Sequence, residues 1–231
     1  LRLALLREVG EALESGLPIV IYDFEEREGE ADLVYPAWVV GVDEVYELRA
    51  EAGGLVCYVT EGSLARSLGI PWAYELIGSW STLSPLASRT LRYGDRPAFT
   101  IWVNHVSVKT GISDEDRSVT IRELDGVSRL YYSGRVSEAR EKFYSEFVAP
   151  GHVPILASKS LRERRGHTEL SVALFKLVGL RPSAAFAEIL VKGRSATYEE
   201  ARELALKKRI PIVRGSDILK WCESSEVCWS S

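Results

Sequence analysis

Cysteine is scarce in this sequence, long apolar runs are missing, and basic residues do not outnumber acidic ones. The three cysteines, Cys57, Cys222 and Cys228, are too few for a disulfide framework and lack the spacing of a zinc site. We therefore expect a reducing, cytoplasmic setting, and nothing in the sequence requires Cys222 and Cys228 to pair. No apolar run approaches the roughly 20 residues of a membrane span. The net charge of −4 provides no global basic field for nucleic acid or an anionic membrane.

Histidine is also rare, and methionine is absent. Any imidazole chemistry must therefore use His105, His152 or His167. His105 lies in a β-like apolar stretch, and we interpret it as structural. His152 lies in the segment 150–154, where proline and glycine fix a short loop that suits a positioned acid or base. The other interpretation is a loop histidine that is hydrogen-bonded to the backbone.

The composition is that of an ordinary folded protein, with 46% hydrophobic and 27% charged residues. Short β-branched runs alternate with amphipathic ones without internal repeats, which predicts one α/β (α+β) domain over residues 1–231. Ser113 and Asp116 have capping-box form and predict a helix over residues 114–124. Asp125-Gly126 is expected to end that helix.

The most informative stretch is the acidic run 25–32, which lies between two apolar stretches and holds five acids and one arginine. If the run is extended, side chains alternate, so Glu26, Glu28, Glu30 and Asp32 project to one side. Carboxylates at such short distances repel one another unless a cation lies between them. Mg²⁺ and Mn²⁺ prefer such oxygen ligands. A solvated acidic loop is the other interpretation, because charge runs usually face water.

A complementary basic stretch, Arg164-Arg165-Gly166-His167-Thr168, precedes a predicted helix over residues 168–178. The free N–H groups and the dipole of a helix N-terminus attract an anion, and the arginines add charge and paired donors. The stretch therefore predicts either a phosphate-binding site or a plain N-terminal cap. Glu188 is a second anomaly, because a carboxylate within the apolar run 184–191 is costly to bury unless it is paired.

Four motifs together resemble a known family. The motifs Arg27-Glu28-x-Glu30-x-Asp32, Thr110-Gly-Ile-Ser-x-x-Asp-Arg117, Pro150-Gly-His-Val-Pro154 and Gly166-His-Thr-Glu169 occur in the order found in 3,4-dihydroxy-2-butanone 4-phosphate synthases. The resemblance implies a single compact catalytic domain with a mixed sheet flanked by helices, and a homodimer with active sites near the subunit interface. It also implies the monofunctional enzyme, which converts D-ribulose 5-phosphate to L-3,4-dihydroxy-2-butanone 4-phosphate and formate in riboflavin biosynthesis.

The resemblance further implies roles for individual residues. Glu28 and His167 match ligands of Mg²⁺ or Mn²⁺, and two ions are expected in each site. Substrate contacts are implied at Arg27, Asp32, Thr110, Arg164, Arg165, Gly166 and Thr168. The family usually has glycine where this chain has Ala31 and Arg165. The second exchange either adds a phosphate contact or faces solvent.

Proton transfer is implied at His152 and Glu188, which would form a pair, with Glu30 as a further carboxylate. Cys57 matches a cysteine near the substrate, although a buried structural thiol is the plainer interpretation. Residues 71–97, rich in aromatic residues, serine and proline, are expected to form a loop or lid over the site.

Two other functions would use the same groups. A different metal-dependent phosphosugar isomerase or aldolase would need the same metal, phosphate and base groups, and the identity of its product would separate it. A non-catalytic sugar-phosphate-binding homologue would bind without turnover. The presence of Glu28, His152, His167 and Glu188 argues against this homologue.

Overall fold

The computed structural model describes residues 2–229, and helices alternate with strands along the chain. The helices are α1 Arg2–Glu14, α2 Val42–Glu47, α3 Gly62–Ser67, α4 Ala73–Gly78, α5 Ser84–Ala87, α6 Asp114–Tyr132, α7 Val136–Glu146, α8 His167–Leu177, α9 Tyr198–Lys208 and α10 Gly215–Cys222. The strands are β1 Ile19–Tyr22, β2 Ala31–Pro36, β3 Cys57–Glu61, β4 Phe99–His105, β5 Phe147–Ser158, β6 Ser183–Glu188, β7 Leu190–Val191, β8 Arg194–Ser195 and β9 Ile212–Arg214.

One mixed sheet, in the order β4-β5-β3-β6-β2-β1-β9, organises the described part of the chain, and β7 pairs with β8 in a separate hairpin. β1 is parallel to β9 and β3 is parallel to β5, whereas the other neighbouring strands of the sheet are antiparallel. The predicted fold class, a mixed sheet flanked by helices, is confirmed.

Alternation along the strands gives the sheet two apolar faces. Leu33 and Tyr58 lie on the face that packs against α2, α6 and α9. Val34 and Val59 lie on the face that packs against α1, α8 and α10. Because both faces are covered, polar side chains at the strand ends are held in fixed positions. In residues 2–229 no helix has the length and apolarity required to cross a membrane.

The predicted end of the helix at Asp125-Gly126 is wrong. α6 begins as predicted, with the Ser113 hydroxyl accepting from the Asp116 N–H, but it continues to Tyr132. Asp125 is buried and accepts hydrogen bonds from Arg181 Nη2 at 2.7 and 2.9 Å. This tertiary pairing outweighs the local helix-ending signal.

The strand that carries His152 is longer than predicted. β5 begins at Phe147 and includes the segment 150–154, where the sequence predicts a loop. Gly151 permits close pairing with β4, since a Cβ there would lie 2.0 Å from the carbonyl carbon of Val103. His152 therefore projects from a strand rather than from a loop.

Residues 71–97 are only partly irregular, so the loop prediction is wrong for α4 and α5. Trp72 anchors the start of this segment, because its indole Nε1 donates to the Ala157 carbonyl at 3.1 Å. The irregular second half, after α5, leads Tyr93 and Asp95 back to the acidic run.

Cys222 and Cys228, whose pairing the sequence left open, form a disulfide. The bond closes the C-terminal turn, which contacts residues just before the basic stretch. The Trp229 carbonyl accepts from Ser160 Oγ at 3.2 Å, and the Arg162 guanidinium lies 5.4 Å from the centre of the Trp229 ring.

Candidate active site

A cavity of about 300 Å³ lies where the acidic run, the N-terminus of α8 and the end of β6 meet. Glu28, Glu30 and Asp32 line it from the acidic run, His167 from α8 and Glu188 from β6. Sheet register explains part of this convergence, since Asp32 on β2 lies directly opposite Glu188 on β6. Four carboxylates and one imidazole thus share a single cavity.

The acidic run is a turn at its start, so the predicted projection of four acids to one side is wrong. Gly29 has a φ of +63°, which bends the chain between Glu26 and the strand β2. Glu26 is exposed, whereas Glu28, Glu30 and Asp32 line the cavity. The solvated-loop interpretation therefore applies only to the first part of the run.

The predicted metal ligands Glu28 and His167 meet in this cavity. Glu28 Oε2 lies 3.5 Å from His167 Nδ1, and a carboxylate oxygen of Asp23 lies within 4.8 Å of ligand atoms of both. Adjacent ligands of an octahedral Mg²⁺ ion with bonds of about 2.1 Å are roughly 3 Å apart, so the pair fits such an ion. Burial by itself favours the neutral acid, but hydrogen bonds to His167 and Tyr93 and the charge of Arg27 lower the pKa of Glu28 to about 2.

The other nitrogen of His167 faces protein acceptors. His167 Nε2 lies 3.2 Å from the Glu30 carbonyl oxygen and 3.7 Å from Asp32 Oδ1. A metal-binding histidine usually donates its second N–H to such a partner, which fixes the ring orientation. With Nε2 donating to Glu30, Nδ1 is left as the metal-facing atom.

Asp32 is buried without a complete set of partners. Its side chain is in the core, and within the described residues Oδ1 has no hydrogen-bond donor. Burial raises the pKa of Asp32 well above its usual value, and the nearby carboxylates of Glu188 and Glu28 add to the rise while His167 opposes it. An unpartnered buried acceptor is costly, and a cation or a ligand hydroxyl in the cavity would relieve that cost.

The basic stretch forms a cradle at the N-terminus of α8. A Cβ at Gly166 would lie 2.4 Å from Arg164 Nη1 and 2.7 Å from Arg27 Nη2, so glycine lets both guanidiniums approach. Arg27 Nη2 is buried and, in the part of the chain that is described, donates to no acceptor. Capping also occurs, because Glu169 Oε2 accepts from the Gly166 N–H at 3.2 Å. Thr168, in the first turn, lines the same cavity.

Two of the predicted site residues, His152 and Thr110, lie outside the cavity. His152 and Thr110 are exposed and do not line this cavity. Asn104 holds both, since its Oδ1 accepts from the His152 N–H at 2.8 Å and its Nδ2 donates to the Thr110 carbonyl at 3.4 Å. β3 separates the strands of His152 and Glu188, so one chain does not bring the expected proton-transfer pair together.

The structure also shows the environment of three further positions. Cys57 is fully buried on β3, and burial, reinforced by Glu188 and Asp32, raises the pKa of its thiol well above the usual value. Arg165 is exposed and lines a neighbouring cavity of about 310 Å³. Ala31 begins β2 in ordinary strand conformation, so the exchange of glycine for alanine introduces no strain.

Sequence reasoning missed three side chains that hold the site from outside the motifs. They form the pairs Tyr93 with Glu28, Asp95 with Arg27, and Ser195 with Glu30. The partners are separated by 65, 68 and 165 residues, so no local spacing could reveal them. Asp23, also missed, directly follows β1 and could have been included with the acidic run.

Comparison with known proteins identifies the family. The profile of 3,4-dihydroxy-2-butanone 4-phosphate synthase matches residues 7–221. The chain is 39% identical over 218 residues to the synthase of Archaeoglobus fulgidus, covering 90% of each protein. It is 35% identical over 220 residues to that of Methanosarcina acetivorans, covering 91% of this chain and 87% of the relative. A solved 3,4-dihydroxy-2-butanone 4-phosphate synthase in complex with two magnesium ions aligns with a TM-score of 0.72 and 26% identity, covering 96% of this chain and 97% of that one. The chain therefore belongs to the 3,4-dihydroxy-2-butanone 4-phosphate synthase family.

Proposed function

We propose that this chain is a metal-dependent lyase that converts D-ribulose 5-phosphate to L-3,4-dihydroxy-2-butanone 4-phosphate and formate. The observation that carries the proposal is the grouping of a candidate metal-ligand pair with buried polar atoms that lack hydrogen bonds. Glu28 and His167 lie together in the 300 Å³ cavity, and Asp32 Oδ1 in the same cavity has no hydrogen-bond partner among residues 2–229. Arg27 lines the adjoining 310 Å³ cavity, and its Nη2 also has no hydrogen-bond partner among these residues. Membership of the family supports the same reaction, and the catalytic unit is proposed to be one domain.

The proposed cofactor is Mg²⁺, with two ions per site, because a relative has been solved with two magnesium ions. Mn²⁺ has similar ligand preferences and is proposed as a substitute. Such a cation, when bound, acidifies a C–H next to a ketone and stabilises the negative charge that develops on oxygen. Glu28 Oε2 and His167 Nδ1 would hold it, with Asp23 as the third nearby group.

The remaining groups in and beside the cavity divide between phosphate binding and proton transfer. Arg164, Arg27 Nη2 and the N-terminus of α8 would bind the phosphate, and this remote contact orients the sugar. Asp32 and Glu188 lie opposite each other in the sheet and would exchange protons with the sugar. Burial raises the pKa of Glu30, which suits it for the same task.

We also propose a homodimer in which His152 and Thr110 of one chain reach the cavity of the other. The resemblance assigns both residues to the active site, yet both lie outside the cavity of their own chain. They border an apolar surface on which Trp102 and Val148 are each 50% exposed and Ile112 is 55% exposed. Exposed apolar surface rimmed by polar groups is typical of an interface, and a twofold pairing would complete both sites at once.

A cytoplasmic location belongs to the same proposal. Its support is the family, whose reaction is one step of a biosynthetic route. The Cys222–Cys228 disulfide does not exclude that location, because some intracellular proteins carry disulfides.

The test of the proposed reaction is a formate assay on the purified protein with D-ribulose 5-phosphate and Mg²⁺, with and without EDTA. We expect formate and the four-carbon phosphate only when metal is present. A different product from the same substrate would favour an isomerase or aldolase. Binding of the sugar phosphate without any product would favour a non-catalytic homologue, and either result would overturn the proposed reaction.

Metal binding should depend on pH through His167. Burial disfavours the charged imidazole, but the charge of Asp32 and the contact with Glu28 raise the pKa of His167 from 6.5 to about 9. A divalent cation must displace that proton, so its apparent affinity should rise about tenfold per pH unit from about pH 7 to about pH 9. Titrating Mn²⁺ into the protein and following free Mn²⁺ by electron paramagnetic resonance at several pH values measures this slope. A flat profile would contradict the assignment of His167 as a ligand.

The raised pKa of His167 can also be tested in the absence of metal, through the pH dependence of stability. Because the folded protein favours protonated His167, the stabilisation is complete below the unfolded pKa of 6.5 and is lost as pH rises through about 9. The unfolding temperature of EDTA-treated protein should therefore fall across this window. The fall should be smaller in His167→Asn, which cannot titrate.

A further inference from the structure

Tyr93 connects the segment after α5 to both halves of the site. It lines the 300 Å³ cavity and also the neighbouring 310 Å³ cavity. Its hydroxyl donates a short hydrogen bond to Glu28 Oε1. Its ring lies against the Arg27 guanidinium, whose carbon is 4.6 Å from the ring centre. None of the four sequence motifs includes this tyrosine.

The two oxygens of Glu28 have different partners as a result. Oε1 is held by Tyr93, whereas Oε2 faces His167 Nδ1 at 3.5 Å and Arg27 Nη1 at 2.6 Å. Rotation of the carboxylate would break the contact with Tyr93. The hydroxyl therefore fixes the orientation of the carboxylate and the position of the oxygen that faces His167.

The neighbouring contact of the same segment fixes Arg27. Asp95 Oδ2 accepts from Arg27 Nε at 2.9 Å, and Asp23 Oδ2 accepts from Arg27 Nη1 at 3.0 Å. These two pairs and the ring of Tyr93 hold the guanidinium. Arg27 in turn cannot move away from Glu28 Oε2 without breaking them, so the geometry around this oxygen is preorganised.

We propose that Tyr93 is a positioning residue for the divalent cation, because its hydroxyl fixes Glu28 so that Oε2 and His167 Nδ1 face the ion together. This inference rests on the proposed metal site and adds a residue to it. Groups that orient a metal ligand commonly contribute ten- to hundredfold to metal affinity. Tyr93 does not itself need to contact the ion or the sugar.

The test is Mn²⁺ binding to substrate-free Tyr93→Phe, followed by electron paramagnetic resonance. Phenylalanine keeps the ring beside Arg27 and removes only the hydroxyl, so we expect affinity to fall about tenfold to a hundredfold. Tyr74→Phe, also within residues 71–97, is the matched control. The Tyr74 ring stacks on Trp72 at 6.3 Å, away from Glu28, and its variant should bind Mn²⁺ as the unmodified protein does. Unchanged affinity in Tyr93→Phe would overturn the proposal.

Measuring turnover at increasing Mn²⁺ concentrations distinguishes a role of Tyr93 in positioning the metal ligand from a role in a chemical step. We expect Tyr93→Phe to approach the unmodified rate once Mn²⁺ saturates the site, with little change in the KM for ribulose 5-phosphate. A rate deficit that persists at saturation would assign Tyr93 to a chemical step and overturn the positioning role. If the unmodified protein binds Mn²⁺ but makes no formate, the proposed function fails, and the binding comparison still tests Tyr93.

Discussion

Glu28→Gln is expected to lower formate release by about a thousandfold or more, because loss of a bound cation removes several kcal/mol of transition-state stabilisation. Glutamine has nearly the same shape, so the loop should keep its fold. It cannot supply the charge that faces His167 at 3.5 Å. Formate assays at saturating Mg²⁺ and thermal unfolding curves measure the two properties separately.

Glu26→Gln is the matched control for that experiment. Glu26 lies in the same acidic run but is exposed and does not line the 300 Å³ cavity. Its variant should retain normal turnover. Normal turnover in Glu28→Gln would contradict the metal assignment, and equal losses in both variants would point to the charge of the run rather than to a specific ligand.

Complementation between two inactive chains should restore about half of the dimer's activity. His152→Ala and Glu28→Gln should each be inactive as homodimers, since a lost acid or base commonly costs about a hundredfold to ten-thousandfold. In an isolated heterodimer carrying two different affinity tags, one cavity combines an intact Glu28 with an intact His152 from the partner chain. That cavity should turn over.

A heterodimer of Glu28→Gln with His167→Ala provides the control. Glu28 and His167 line the cavity of the same chain, so both sites of this dimer remain defective. It should be inactive. An equally inactive heterodimer of Glu28→Gln with His152→Ala would show that His152 acts within its own chain, and would remove the reason for a shared site.

Elements with strong local signals were predictable from the sequence. The Thr197 hydroxyl accepts from the Glu200 N–H at the start of α9, and Gly179 has a positive φ just after α8. Both signals act within a few residues of the helix end, so the order of residues is enough to reveal them.

The errors arose where distant residues outweigh local preference. Asp125 would end a helix in isolation, but its partner Arg181 lies 56 residues away. The length of β5 depends on Gly151 packing against β4, which no spacing within residues 147–158 could show. The pairing of Cys222 with Cys228 was an open alternative, and the fold of the C-terminal turn decides it.

The candidate site was predictable in kind but not in arrangement. Charge and helix polarity suggested a cation site and a phosphate site but left a solvated loop and a plain helix cap open, and the four motifs favoured the two sites. Only the fold shows that Glu26 is exposed rather than part of the cavity, and that His152 lies outside the cavity of its own chain. The supporting hydroxyl of Tyr93 depends on a contact across 65 residues and was therefore invisible to sequence patterns.

The placement of Asp32 opposite Glu188 links the stability of this fold to the proposed cation. Burial and the nearby carboxylates of Glu188 and Glu28 disfavour the ionised form of Asp32, so a bound cation is expected to relieve a cost that the metal-free protein retains. A ligand that binds only the folded state at a hundred times its dissociation constant adds about 2.7 kcal/mol to the free energy of unfolding. The unfolding temperature is therefore expected to rise with the concentration of the proposed Mg²⁺.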